Sequence, residues 1–99
     1  MKWKLRLLPD ARAEFDAAAD WYQQQRRGLG REFVRAVRDV FQRISANPRT
    51  HAKVYGDVRK AVVTRFPFVI LYEDEGNEVL IIAVFHTARD PAAWQSRLH

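Results

Sequence analysis

The sequence contains no cysteine, which excludes disulfides and thiolate chemistry and fits a reducing compartment. Long apolar stretches are missing too. The longest, Val79 to Phe85, has seven residues, far short of the roughly 20 that a membrane-spanning helix needs. Met1-Lys2-Trp3-Lys4 carries charge, but no apolar stretch of signal-peptide length follows it. The expectation from these absences is a cytoplasmic protein without membrane contact. The three histidines, His51, His86 and His99, are far apart and have no Cys or paired-His spacing around them, so no metal site is expected. A phosphate-binding P-loop, a dinucleotide-binding glycine fingerprint and a nucleophile elbow are all lacking. Ser45 and Ser96 have no triad company nearby. No cofactor is expected, and there are no repeats, low-complexity tracts or interdomain linkers.

What is present suits one compact domain over residues 1–99. Apolar residues make up 47% of the chain, enough for one small core, so a binding partner can add much of the working stability. The formal charge is +5, and it is unevenly spread. Residues 26–65 hold eleven basic side chains against three acidic ones (Glu32, Asp39, Asp57), while the remainder holds six basic and nine acidic. A positive middle segment is either a solvated helix face or the footprint of a polyanionic or acidic partner. Arg outnumbers Lys in it, and Arg is the better fork for phosphate and carboxylate.

Periodicity gives the elements. Trp3, Leu5 and Leu7 alternate with Lys4 and Arg6, a short strand with one apolar face. Pro9-Asp10 stops it and starts a helix, with Asp10 as the expected N-cap. Ala11, Phe15, Ala18 and Tyr22 form a helical stripe, with Asp16 and Asp20 off it. After a reversal at Gly28 and Gly30 comes a second stripe, Leu29, Phe33, Val37, Val40 and Ile44, widened by Val34 and Phe41 and ended by Asn47-Pro48. Residues 49–57 read as a polar connection. Three strands follow, Val58 to Arg65, Phe68 to Glu73 and Val79 to His86, joined by short turns at Phe66-Pro67 and at Asp74 to Asn77. Asp90 to Trp94 reads as one helical turn whose Trp94 packs back on the body. The order β-α-α-β-β-β predicts an α+β fold, an antiparallel sheet with a helical hairpin on one face and the other face partly open.

In the strand from Val58 to Arg65, Arg59, Ala61, Val63 and Arg65 share one face. Two arginines there can hold an anion or a partner's carboxylates. His86 closes the last strand and Arg89 follows it. A histidine beside an arginine can act as acid or base on a phosphodiester, or it can cap the sheet by hydrogen-bonding a loop carbonyl; spacing leaves both open. Trp21-Tyr22 reads as core and interface, Phe66-Pro67-Phe68 as a rigid turn anchored in the core, and Glu73-Asp74-Glu75 with Glu78 as a solvated turn.

These segments together resemble the RelE/ParE toxin superfamily, in its ParE-like plasmid-stabilisation branch. The resemblance rests on Pro9-Asp10-Ala11 leading into a helix that ends in Trp21-Tyr22, on Asn47-Pro48, and on Val58-Arg59-Lys60-Ala61. It rests most on Arg65-Phe66-Pro67-Phe68 running to Leu71-Tyr72, and on Ala83-Val84-Phe85-His86-Thr87-Ala88-Arg89-Asp90-Pro91. It implies the growth-arresting toxin of a type II toxin–antitoxin pair, held by a cognate antitoxin from the same operon and meeting operator DNA only through that complex. Two targets are implied, or none where such a chain is a non-toxic remnant that only pairs with its antitoxin. ParE-type toxins act on DNA gyrase without a hydrolytic site; RelE-type toxins cut mRNA on the ribosome. For the target surface the expected residues are Arg59, Arg65, His86 and Arg89, which would also be the catalytic set of a nuclease. For the antitoxin they are Trp21, Tyr22, Arg31, Arg35 and Arg38. The segment after His86 has no Tyr or Glu, a departure from the nuclease pattern that favours gyrase.

Overall fold

The computed structural model describes residues 2–98. Its elements are β1 (Lys4–Leu7), α1 (Pro9–Gln25), α2 (Leu29–Ala46), β2 (Lys53–Tyr55), β3 (Val58–Val62), β4 (Phe68–Glu75), β5 (Glu78–His86) and α3 (Ala92–Gln95). The strands form one sheet in the order β1-β5-β4-β3-β2. The α+β fold class is as expected, with α1 and α2 packed together as a hairpin on the sheet. One pairing differs: β1 runs parallel to β5, whereas β2 to β5 pair antiparallel in sequence order. Short turns impose antiparallel pairing only on consecutive strands, and β1 reaches β5 across the whole hairpin.

Local chemistry sets the element ends. Pro9 opens α1 with its preset φ, and Leu8 holds the capping position with no side-chain bond. Asp10, expected as the cap, lies inside the first turn, where its charge still suits the helix N-terminus. At the start of α2 the missing cap comes from α1: the Gln23 amide oxygen accepts from the backbone N–H groups of Gly28 (3.1 Å) and Gly30 (3.3 Å). A Cβ on Gly30 would sit 2.6 Å from the Ala19 carbonyl oxygen, so glycine lets the two helices close on each other there. The strand expected over residues 58–65 ends at Val62, because Arg65 adopts a left-handed backbone (φ 74°) in the turn to β4. The connection over residues 49–57 contains the edge strand β2. Glu73, Asp74 and Glu75 belong to β4, and the turn shrinks to Gly76-Asn77; the expected solvated turn at 73–75 is therefore corrected.

Two apolar clusters lie on the two faces of the sheet. The larger joins Phe15 of α1, Phe33, Val37, Val40 and Ile44 of α2, and Ala61, Ile70, Tyr72, Val79, Ile81 and Val84 of the strands. The smaller, on the outer face, joins Val58, Leu71, Ile82, Ala83 and Phe85 to Trp94 of α3, so the C-terminal turn does pack back on the body. The two parities of β5 change at a bulge. Tyr72 pairs with Ile81 and Leu71 with Ala83, leaving Ile82 as the extra residue. Val79 and Ile81 face the helices, Ile82 and Ala83 both face outward, and Val84 faces the helices again.

The β1 strand stops at Leu7, opposite Ile81, so the β5 edge is bare beyond that point. Side chains take over the ladder. The Glu14 carboxylate accepts from the Val84 N–H at 3.1 Å, and Arg97 donates to the Ile82 carbonyl at 3.0 Å. The two are joined to each other through both guanidinium nitrogens at 2.9 and 2.6 Å, and Arg89 adds a further bond to Glu14 at 2.7 Å. Both Glu14 and Arg97 have side chains about nine-tenths buried (13% and 11% exposed), and the pair holds the Arg97 pKa above its usual range, chiefly through the hydrogen bond to Glu14. Removing one partner of such a pair leaves a charge without compensation in a poorly solvated place. Glu14→Ala is expected to cost about 3 kcal/mol, read as a lower urea midpoint. Replacing both partners by Glu14→Met with Arg97→Leu should cost less than Glu14→Ala alone. A midpoint unchanged in Glu14→Ala would remove the pair from any structural role.

Candidate functional site

The bulge at Ile82 decides where His86 goes. With unbroken alternation from Val79, His86 would fall on the outer face; the extra residue turns it to the helix side. There its ring meets Phe68 edge-on at 5.1 Å. It lines a hollow of about 370 Å³ with Ala18, Trp21, Tyr22, Pro67 and Phe68. His86 Nδ1 accepts from the Ala88 N–H at 3.0 Å. The expected bond to a loop carbonyl is therefore reversed in sense, and in the neutral ring the proton sits on Nε2.

The four residues expected on the target surface do not converge. Arg59 donates to the carbonyl oxygens of His51 (2.7 Å) and Arg49 (3.4 Å), and its buried Nε faces Asp74 at 3.6 Å, beyond hydrogen-bond reach. It fastens the chain before β2 to the sheet. Arg65, turned away from Ala61 and Val63 by its left-handed backbone, reaches Glu32 of α2 at 2.8 Å. Arg89 pairs with Glu14 and lies 4.4 Å over the Phe85 ring, on the outer face. Each guanidinium faces a carboxylate in a different part of the molecule, and His86 shares its hollow with none of them.

The residues expected to meet the antitoxin fall into two groups, three arginines on α2 and the Trp21-Tyr22 pair on α1. Arg31, Arg35 and Arg38 are exposed on α2 at spacings of four and three, which puts them on one helical stripe. Arg35 also lines a groove of about 280 Å³ with Glu32, Asp39, Arg43 and Arg65. Trp21 is 55% exposed, while Tyr22 is wedged among Phe33, Phe66 and Phe68, with ring centroids 4.9–6.2 Å apart. Burial pushes the Tyr22 hydroxyl above its ordinary pKa, so it stays protonated.

Sequence reasoning missed a polar network behind the sheet. The buried Tyr72 hydroxyl donates to the Pro48 carbonyl at 2.6 Å and meets His51 Nδ1 at 3.1 Å. With its proton committed to Pro48, the hydroxyl accepts from His51, which fixes the Nδ1–H tautomer. Asp74 sits beside it: burial pulls its pKa upward, but hydrogen bonding to Arg49 and to backbone, with the charges of Arg49 and Arg59, carries it below the usual value. The only sequence signal was Tyr72 at a position that must be buried in β4. Glu14 and Arg97 were also missed, since a pair 83 residues apart leaves no local pattern.

On the outer face, Val62 (63% exposed) and Val54 are bare beside Val69, Leu71 and Phe85, with Lys60 and Arg89 at the margins. Among the described residues no three His, Cys, Asp or Glu side chains cluster to hold a metal, and no helix is long and apolar enough to cross a membrane.

A hairpin of two helices on a five-stranded sheet with a cationic α2 is the architecture of a small RelE/ParE-type toxin. The family model for the ParE toxin of the type II toxin–antitoxin system, parDE, matches residues 5–91, and the chain belongs to that family. The fold is similar to a solved structure described as the chromosomal ParDE TA system from P. aeruginosa. Its TM-score is 0.64 at 20% identity, covering 86% of this chain and 96% of that one. A comparison with curated proteins returns no match. The chain is thus the toxin of a type II pair, with a cognate antitoxin as its partner.

The His51 network makes stability depend on pH. Burial, then the charges of Arg43 and Arg59, hold the His51 pKa below its ordinary 6.5. The unfolded chain therefore takes up the proton first as pH falls. The contribution is fully present above about pH 6.5 and is lost as pH drops through the lower folded value. Asp74, whose folded pKa is lowered, contributes only at more acidic pH. The urea midpoint should fall between about pH 7.5 and about pH 5, and His51→Asn, which keeps a donor near Nδ1, should flatten that slope. An equal slope in both proteins would assign it to other groups.

Proposed function

We propose that this toxin arrests growth in the cytoplasm by binding DNA gyrase, not by cutting mRNA, and that residues 1–99 act as one toxin domain. The observation that carries the reading is the hollow around His86. Cleavage by attack of a ribose 2′-hydroxyl needs a base, an acid and positive charge at the phosphate. The lining of the hollow supplies one imidazole and one protonated phenol but no cation. Arg59, Arg65 and Arg89 are directed at carboxylates outside the hollow, Asp74, Glu32 and Glu14. Inhibition of gyrase asks only for a surface, and the exposed cationic stripe Arg31, Arg35 and Arg38 on α2 supports one. The same cations favour an acidic antitoxin, whose binding weakens with salt; operator DNA is then met only by the complex.

The test sets gyrase supercoiling beside ribosome-dependent mRNA cleavage, with growth arrest scored for wild type, His86→Ala, Arg65→Ala and Arg89→Ala. Supercoiling should fall as wild-type protein is added, and His86→Ala should keep most of its toxicity. Loss of a general acid or base costs roughly 10²–10⁴-fold, so codon-positioned cuts that vanish in His86→Ala would replace gyrase with the ribosome as the target.

A further inference from the structure

The outer face of the sheet, away from α1 and α2, carries a groove of about 620 Å³. Its floor is apolar: Val58 and Ile82 are buried, and Leu80 and Leu98 pack against them. The β2–β3 turn and the C-terminal tail form its walls. Along β4, Leu71, Glu73 and Glu75 share one face, so two carboxylates continue the line of the apolar floor. Asp57 in the β2–β3 turn adds a third.

In a chain with a formal charge of +5, this groove is a local reversal of sign, and its carboxylates are poorly compensated. Glu75 shares Arg6 with Glu78, at 3.6 and 2.9 Å. Asp57 meets Lys53 at 3.2 Å, and both are exposed. Arg97, in the tail wall, is committed to Glu14 and Asp10. Glu73 meets no cation among the described ion pairs, and burial, followed by the charges of Glu75, Asp57 and Asp74, pushes its pKa up. A cation brought from outside relieves a carboxylate so placed.

Floor and rim together select the occupant. A bare metal ion has no use for an apolar floor. An acidic antitoxin segment is repelled by the rim, and a second copy brings +5 against a molecule of the same charge. A Lys or Arg side chain has what the groove asks for, an alkyl stem and a cationic head. An enzyme that grips DNA displays such side chains, because phosphate charge is met with Lys and Arg. The groove also gives the target a contact opposite in sign to the α2 stripe, and complementary charges of both signs sharpen the choice of partner.

We propose that the groove seats a Lys or Arg side chain from a basic segment of the target enzyme, with its stem on Val58, Leu80 and Ile82 and its charge at Glu73 between Glu75 and Asp57. The inference rests on gyrase as the target and is independent of the antitoxin pairing.

The experiment measures binding of the purified toxin to intact gyrase, beside inhibition of supercoiling. The variants are Glu73→Lys, which reverses the charge in the groove, Glu73→Gln, which removes it at constant shape, and Asp16→Lys. Asp16 is exposed on α1, so the last makes the same change of net charge away from the groove. Glu73→Lys should weaken gyrase binding by about 30-fold or more and Glu73→Gln by about tenfold, the range of a lost charge pair in an interface. Asp16→Lys should stay within about threefold, and Glu73→Lys should bind the antitoxin no more weakly than wild type does. If Glu73→Lys loses its antitoxin or its circular dichroism spectrum, its fold is damaged and Glu73→Gln decides. Wild-type binding that Glu73→Gln and a folded Glu73→Lys both leave within about threefold overturns the groove while gyrase stands as the target. Equal losses in Glu73→Lys and Asp16→Lys make net charge the cause and overturn the groove as well. A wild-type toxin that neither binds gyrase nor lowers supercoiling overturns the gyrase reading and the inference with it.

Discussion

The Glu14–Arg97 pair does the work of a missing strand. A sheet whose edge strand is four residues long cannot satisfy the nine residues of its neighbour, and an unpaired edge among apolar side chains is costly and open to unwanted pairing. A carboxylate that accepts from Val84 and a guanidinium that donates to Ile82 reproduce the two halves of a ladder rung. The same carboxylate draws in Arg89, so α1, the β5 edge and the C-terminal tail are set by one group. The placement of α3 on the outer face, and with it the cover over Phe85 and Ile82, follows from that fastening.

Much of this fold was legible in the sequence. The stripes from Ala11 to Tyr22 and from Leu29 to Ile44 are periodic enough to fix both helices, and Gly28 with Asn47-Pro48 marks their ends. Strand boundaries were read less well, for identifiable reasons. Arg65 carries no residue-type warning of a left-handed backbone, so the strand before it was drawn three residues too long. β2 hid in a polar stretch because an exposed edge strand needs no apolar face. The site suffered most. Val79 to Phe85 is apolar throughout, so it contains no alternation from which a face can be read, and a bulge inside it is invisible. The face of His86 depends on that bulge. Without it, grouping His86 with three arginines by nearness in sequence and strand parity joins residues that the structure separates.

The distribution of charge has a related lesson. A count gives a cationic middle segment, but many of its guanidiniums are already spoken for. Arg59 holds a loop, Arg65 leans on Glu32, and Arg49 is paired with Asp74. What remains for a partner is a narrower stripe along α2. Surface ion pairs of this kind contribute little to stability. The Arg65–Glu32 pair, exposed on both sides, can be exchanged for a partner's carboxylate at small cost.

The place of β5 in the sheet bears on how the protein is made. It is the last of the five strands to leave the ribosome, yet it lies between β1 and β4, and both apolar clusters draw on it. Until residues 78–86 emerge, β1 has no partner and the hairpin has no completed sheet to cover. Assembly is therefore governed by contacts distant in sequence, the kind that form slowly and leave apolar surface bare in the meantime. Until that strand is in place neither apolar cluster is complete, and the helix stripes and the inner faces of β3 and β4 are the surfaces open to wrong pairing.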